Sequence, residues 1–317
     1  MDDWRLEDIR HMPESIRDSA GATQGLRDRV VIVTGAGKGL GRAYALDLAA
    51  QGASVVVNNR WSDRGQPSSA EAVAAEIRGA GGRAVANLES AEDPDAGETM
   101  VAQALAEFGR LDAVVSNAGV PETLRLHRQT REGFQKIFDI NFFGAFHLIQ
   151  AAWPALSASK AGRIVVSASS AGLHGGDGMA AYASSKAALI GLVRGLAVEG
   201  APRGLKINAI APYAVTAMTE QHLAPGMAER MDPAAVAPLV SWLVSEACAV
   251  TGQTLVSGGG RLRAAFAVEG PPVNLEAGQI GPAVLAALTA EPRETYGDAH
   301  QAFAAFMDGR EAFVPKQ

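Results

Sequence analysis

A glycine cluster set between a β-branched run and a helical stretch constrains this chain more than any other feature. Val30-Val31-Ile32-Val33 reads as a buried strand, Thr34-Gly35-Ala36-Gly37-Lys38-Gly39-Leu40-Gly41 follows at once, and Arg42-Ala43-Tyr44-Ala45-Leu46 opens a helix. Glycines let the backbone turn sharply and approach a pyrophosphate, while the helix N-terminus presents free N–H groups and the positive end of a dipole. Such a loop needs a strand before it, a helix after it and a second strand about twenty residues on. Ser54-Val55-Val56-Val57-Asn58 supplies that second strand.

The alternation continues along the chain. Strands are expected at 30–34, 54–58, 83–87, 111–116, 163–168, 205–210 and 253–257, with helices near 40–51, 69–79, 96–108, 131–157, 180–200 and 233–246. Short β-branched runs separated by helix-length segments make a parallel sheet covered on both faces, and right-handed crossovers make it doubly wound. The expectation is an α/β, Rossmann-type domain over 27–260 with a seven-stranded sheet. Residues 1–26 read as an N-terminal arm. Beyond Gly258-Gly259-Gly260, helices near 276–289 and 295–307 make 261–317 a C-terminal helical extension of the same domain.

Composition narrows the function classes. A hydrophobic fraction of 48% supplies a sizeable core, and a formal net charge of -6 argues against a surface that tracks nucleic-acid phosphates. The single Cys248 excludes an internal disulfide, and no histidine has metal-ligand spacing, so neither a metal nor a disulfide is expected. The acidic, mixed start is unlike a signal peptide, and no apolar run is long enough for a bilayer, which together suggest a cytoplasmic enzyme without membrane contact. None of the histidines has a Gly-x-Ser-x-Gly context, which removes a serine hydrolase.

Further motifs follow in order. Ser116-Asn117-Ala118-Gly119 ends the fourth strand, Asn141 sits in Ile140-Asn141-Phe142-Phe143-Gly144, Ser169 closes the fifth strand, and Tyr182-Ala183-Ser184-Ser185-Lys186 opens the helix over 180–200. With the Thr-Gly-x-x-x-Gly-x-Gly loop, these resemble the short-chain dehydrogenase/reductase family over roughly 28–260. Gly39–Leu46, Gly81–Asn87, Ala187–Leu192, Ala211–Thr219 and Val236–Leu243 look, more closely, like the (3R)-hydroxyacyl-CoA dehydrogenase part of the peroxisomal multifunctional enzymes of type 2, whose hydratase domain has no counterpart here.

Tyr182 and Lys186 are four apart on a helix, hence on one face. A phenol with a pKa of about 10 is a poor base at neutral pH. The Lys186 ammonium and the positive charge of an oxidised nicotinamide both favour the phenolate, so Tyr182 can pass a proton to or from the substrate oxygen. Ser169 is placed to polarise the same oxygen; Ser167 and Ser170 fit the spacing less well. The resemblance implies that Asn141 holds a water linking Lys186 to solvent, that Lys186 also bonds the nicotinamide ribose, and that the protein is a homodimer or homotetramer packed through the 131–157 and 180–200 helices.

The cofactor set implied by the motifs is Gly35, Lys38, Gly39, Leu40, Gly41, Asn59, Arg60, Glu89, Ser90, Asn117, Ala118, Gly119, Tyr182, Lys186 and Val215. NAD-specific members end the second strand on an acidic side chain that accepts from the ribose 2′-OH. Here the segment reads Asn58-Asn59-Arg60, and Lys38 resembles the second basic residue of NADP-dependent members. NADP(H) is therefore expected to be preferred, with NAD(H) possible. Glu89 and Ser90 are placed for the adenine, Val215 for the carboxamide. Wall candidates for the substrate are His174, Met179, Tyr213 and Met218, with Leu173 and Phe143 beside them; methionines adapt to varied apolar shapes.

A roomy apolar pocket points to a bulky ketone or a steroid- or polyketide-like alcohol. The alternative is a (3R)-3-hydroxyacyl-CoA, for which Arg261 and Arg263 could meet CoA phosphates. A non-catalytic dinucleotide-sensing scaffold on the same fold stays open, although the intact Asn141, Ser169, Tyr182 and Lys186 speak for an enzyme.

Overall fold

The computed structural model describes residues 26–61, 67–215, 231–274 and 280–307. The strands are β1 (Val30–Val33), β2 (Ser54–Asn58), β3 (Arg83–Asn87), β4 (Ala113–Ser116), β5 (Arg163–Ser167), β6 (Lys206–Pro212), β7 (Thr254–Gly258) and β8 (Arg261–Ala265). Among the described residues the helices are α1 (Gly39–Ala50), α2 (Ser69–Gly79), α3 (Ala96–Phe108), α4 (Arg131–Phe138), α5 (Gly144–Ala158), α6 (Ser170–His174), α7 (Ala180–Gly200), α8 (Ala237–Leu243), α9 (Ile280–Thr289) and α10 (Ala299–Phe306).

The sheet runs β3-β2-β1-β4-β5-β6-β7-β8, and its pairs from β3 through β7 are parallel. Val31 and Val33 face a core shared with Tyr44, Leu48, Val73 and Val240, whereas Val30 and Ile32 face one shared with Met100, Leu148, Ile164 and Leu189. Alternate residues of β1 are thus buried on opposite faces, which is why this strand is a continuous apolar run rather than an alternating one.

Eight strands replace the seven expected. Gly259 and Gly260 both adopt positive φ (57° and 71°), the geometry of a two-residue hairpin turn. So short a loop can only reverse the chain, making β8 antiparallel to β7. Its Arg-Leu-Arg-Ala-Ala run contains no β-branched residue and is exposed on both faces, so no buried apolar run betrays it in the sequence. The long helix expected over 131–157 is also interrupted, by a π-helical turn at Asp139–Phe143 between α4 and α5. A wider turn of this kind inserts one residue and re-aims the side chains beside it.

The chain divides into two compact units, at Ala264/Ala265. The second contains α9, α10 and an antiparallel bridge between Glu269 and Glu294. No helix among the described residues is long and apolar enough to cross a membrane.

Candidate active site

The carboxyl ends of the parallel strands share one edge of the sheet, and strand order reverses between β1 and β4. Ligands of open α/β sheets bind in the crevice at such a reversal. The glycine loop leaves β1 there and Asn117 leaves β4. Thr34 joins them: its Oγ1 accepts from the backbone N–H groups of Asn117 and Ala118, both at 2.9 Å, and its carbonyl accepts from Asn117 Nδ2 at 3.1 Å. Thr34, in sequence no more than the first residue of the loop, is the bolt between the two halves of the crevice.

The glycine positions are set by close approach. Gly35 has φ +64° and a Cβ there would lie 2.9 Å from Ala118 Cα; one on Gly41 would strike the Gly35 carbonyl and lie 2.6 Å from Asn117 Nδ2. Gly39 differs: at φ +55° its Cβ would meet nothing within 4 Å, so its side faces open space. Lys38 is the N-cap of α1 and makes no side-chain cap bond. The N–H groups of the first turn have no partner within the helix. An open, uncapped helix start reached by a glycine loop suits a pyrophosphate, and Gly35, Lys38, Gly39, Leu40 and Gly41 all stand around it.

At the end of β2, Asn58 and Asn59 behave differently. Buried Asn58 donates from Nδ2 to Asn87 Oδ1 at 2.8 Å and to the Glu89 carbonyl at 2.9 Å, tying β2 to the connection after β3. Asn59 Nδ2 donates to Ser69 Oγ at 2.8 Å, at the start of α2. Arg60 pairs with Glu92, Nη1 to Oε1 at 3.2 Å. Glu89 is exposed and Ser90 half-buried on the same connection. Glu92 was missed by sequence reasoning, since nothing local signals an ion pair across two loops.

On the other side of the reversal, the four candidate reacting residues converge. Asn141, in the π-helical turn, accepts at Oδ1 from Val120 N–H at 2.7 Å and donates from Nδ2 to the Val120 carbonyl at 2.9 Å and Ser185 Oγ at 3.1 Å. Lys186 is buried and its Nζ donates to the Ser167 carbonyl at 2.7 Å. A Cβ on Gly119 would lie 3.2 Å from both Asn141 Oδ1 and Lys186 Nζ, so a side chain there would press on both groups. Ser167, set aside as a candidate on spacing, enters through its backbone carbonyl; its Oγ meets Asn117 Oδ1 at 3.2 Å.

Ser169 caps α6, accepting from Ala171 N–H at 3.1 Å. It also hydrogen-bonds the Tyr182 phenol, which opposes but does not overcome the burial that pushes that phenol above its ordinary pKa. This is opposite to the lowering expected from Lys186. The ammonium stands 5.9 Å from the Tyr182 ring centroid. Burial pulls the lysine down in turn, to about 8. Desolvation disfavours whichever form is charged, so in the protein alone Tyr182 stays protonated.

The wall candidates are less closely grouped. His174 is exposed at the end of α6, Met179 is half-buried, and Tyr213 is 46% exposed with its N–H given to the Ser257 carbonyl at 2.7 Å. Val215 gives its N–H to the Met231 carbonyl at 2.8 Å. Met218 lies outside the described residues, as does nearly all of the expected N-terminal arm. A cavity of about 490 Å³ opens beside the start of α7, bordered by Arg125, Asp177, Ala183 and Ser184; Tyr182 does not line it. Among the described residues no cluster of His, Cys, Asp or Glu could hold a metal ion.

The short chain dehydrogenase family profile matches residues 29–227. A short-chain type dehydrogenase/reductase of Mycobacterium tuberculosis is 42% identical over 243 residues, covering 75% of this chain and 85% of its own. Peroxisomal multifunctional enzyme type 2 of Mus musculus is 43% identical over 237 residues, covering 73% of this chain, and only 32% of that protein is spanned. A crystal structure of a short chain dehydrogenase from Mycobacterium avium superposes with a TM-score of 0.74 at 35% identity, over 86% of this chain and 99% of that one. The chain belongs to the short-chain dehydrogenase/reductase family, oxidoreductases that work with a nicotinamide dinucleotide.

Proposed function

We propose that the protein interconverts a ketone and a secondary alcohol, with Tyr182 as proton donor and acceptor and with NADP(H) preferred over NAD(H). The observation that carries the reading is the convergence of Tyr182, Ser169, Lys186 and Asn141 beside the glycine crevice. When bound, the nicotinamide supplies or removes a hydride at the substrate carbon. Everything else falls to side chains. Ser169 orients the substrate oxygen next to the phenol. Tyr182, kept protonated by its burial, gives its proton to that oxygen as reduction builds charge there, and recovers it in the reverse direction. Lys186, with a pKa near neutrality, can return a proton toward the phenol. Asn141, anchored on Val120 and Ser185, holds the inner end of that relay.

Asn59 in place of a carboxylate supports the cofactor preference, as do Lys38 and Arg60 near the ribose end. The substrate we assign is a bulky apolar ketone or alcohol. A (3R)-3-hydroxyacyl-CoA is the second reading, favoured by the likeness to peroxisomal multifunctional enzyme type 2 and by the exposed Arg261 and Arg263 on β8. We assign a homodimer or homotetramer, as the resemblance to the family implies.

One screen tests these points together: bulky ketones and 3-oxoacyl thioesters with NADPH and with NADH, using the wild type and Tyr182→Phe. The variant should lose about 10² to 10⁴ in turnover while still quenching cofactor fluorescence on binding. Near-normal turnover without the phenol sinks the assignment of Tyr182. A 3-oxoacyl-CoA reduced no better than its N-acetylcysteamine analogue removes CoA from the second reading.

A further inference from the structure

We infer that Glu92 sets how strongly the protein distinguishes the 2′-phosphorylated dinucleotide from the unphosphorylated one, by holding the Arg60 guanidinium in an ion pair that a 2′-phosphate must share or displace. The inference rests on the reading of Asn59 and Arg60 as the adenosine-ribose end of the site, and adds a residue from a different strand–helix connection.

The pair is placed by the fold rather than by chance meeting of two long side chains. Asn58 ties the end of β2 to the Asn87 side chain and the Glu89 carbonyl, so the segments carrying Arg60 and Glu92 are held at a set spacing. The connection is further turned by the Asp93 N–H donating to the Ser90 carbonyl at 2.9 Å. Glu92 stays ionised there. Burial raises its pKa, but Ser90, its own backbone N–H and Arg60 together outweigh that and hold it below the ordinary carboxylate value.

The charge balance follows. Among the described residues, Lys38 and Arg60 are the cations assigned to the ribose end, and Glu89, Glu92 and Asp93 are carboxylates on the connection after β3. A 2′-phosphate meets a guanidinium whose charge is already matched by the Glu92 carboxylate. The side chains are 50% and 30% exposed, so the pair is loose enough to exchange. A phosphate offers more charge and a better match to the planar fork than one carboxylate oxygen does. It can win the guanidinium, but at reduced affinity. An unphosphorylated ribose needs no cation and is indifferent to Glu92.

The test is titration of the full chain with NADPH and with NADH, followed by nucleotide fluorescence. Glu92→Gln should tighten NADPH by about three- to fivefold, the upper end for releasing one partly exposed ion pair, and move NADH by less than about twofold. Glu92→Asp keeps the charge and should keep the wild-type ratio. The gain should vanish in Arg60→Ala/Glu92→Gln. Equal changes for both nucleotides, or a gain that persists without Arg60, overturns the inference. The wild-type ratio reads the cofactor preference separately. A wild type that prefers NADH, with a ratio still moved by Glu92→Gln, ends the preference and leaves the role of Glu92 standing.

Discussion

Lys186 Nζ donates to the Ser167 carbonyl at 2.7 Å, so the ammonium of α7 is bolted to the last residue of β5. The bond fixes the lysine without involving Tyr182, whose ring centroid lies 5.9 Å away. Lys186 therefore acts on the phenol through space and through whatever lies between them. Removing its charge should raise the phenol's pKa in the working complex. Lys186→Met should shift the alkaline limb of the alcohol-oxidation profile toward higher pH by about one unit or more, since one nearby cation typically moves a neighbour that far. A profile of kcat/KM against pH that does not move argues that the lysine only binds the ribose.

The wild type carries its own pH signature. Lys186 has a pKa of about 8, so it is charged below that value and neutral above it. Oxidation should gain from a deprotonated phenol as pH rises, and that gain should flatten above about 8 as the supporting cation is lost. Reduction needs the protonated phenol and should be best on the acid side of the same point. Initial rates in both directions across this range check the sign. Reduction that improves steadily with rising pH contradicts it.

Asn141 holds three hydrogen bonds in the π-helical turn, two of them to Val120. Asn141→Ala leaves those partners without the side chain. A buried group left unsatisfied costs about 1 to 3 kcal/mol, so a loss of stability in that range should appear as a lower denaturant midpoint. Activity should fall further than stability explains, because Val120 follows Gly119 in the segment after β4 that the Asn141 side chain holds in place. An unchanged midpoint refutes the anchoring role.

Gly41→Ala tests the crevice. Its Cβ would strike the Gly35 carbonyl, which is backbone and cannot swing aside. Forcing bulk into a packed position costs about 1 to 3 kcal/mol, and the loop that moves is the one proposed to hold a pyrophosphate. NADH and NADPH affinity should fall together, by about tenfold or more. A variant that melts lower but binds normally separates packing from binding and rejects the loop as the phosphate site.

Asn59→Asp tests the ribose end. Asn59 Nδ2 donates to Ser69 Oγ, a hydroxyl that can donate to a carboxylate instead, so the side chain should keep its place. Its charge would repel a 2′-phosphate and accept from a 2′-OH. The kcat/KM ratio should move toward NADH by about tenfold or more, and added salt should weaken NADPH binding more than NADH binding in the wild type. Steady-state kinetics showing no change in the ratio remove Asn59 from the ribose end.

The central part of the fold was legible because its signals are local. The inner strands β1, β2, β4 and β5 are short valine- and isoleucine-rich runs between helix-length segments, and burial on both faces makes them plainly apolar. The glycine loop, Ser169, Tyr182 and Lys186 were legible as spacings, since a helix puts residues four apart on one face wherever it occurs. β8 was not, because it is short, exposed on both faces and without a β-branched residue. The π-helical turn at Asp139–Phe143 was not either, since one inserted residue leaves the helical pattern on both sides intact.

What only the tertiary structure decided is which groups meet across large separations in sequence. The Ser167 carbonyl accepts from Lys186, Thr34 bolts β1 to β4, Gly119 clears Asn141 and Lys186, and Glu92 pairs with Arg60. The direction of the Tyr182 shift belongs with them. Sequence names the charges near a phenol, but burial decides how far they reach, and burial comes from the packing of β5, α6 and α7. Local periodicity determines which elements form and which chemistry they carry. Pairing and desolvation depend on contacts between segments that the order of residues does not place side by side.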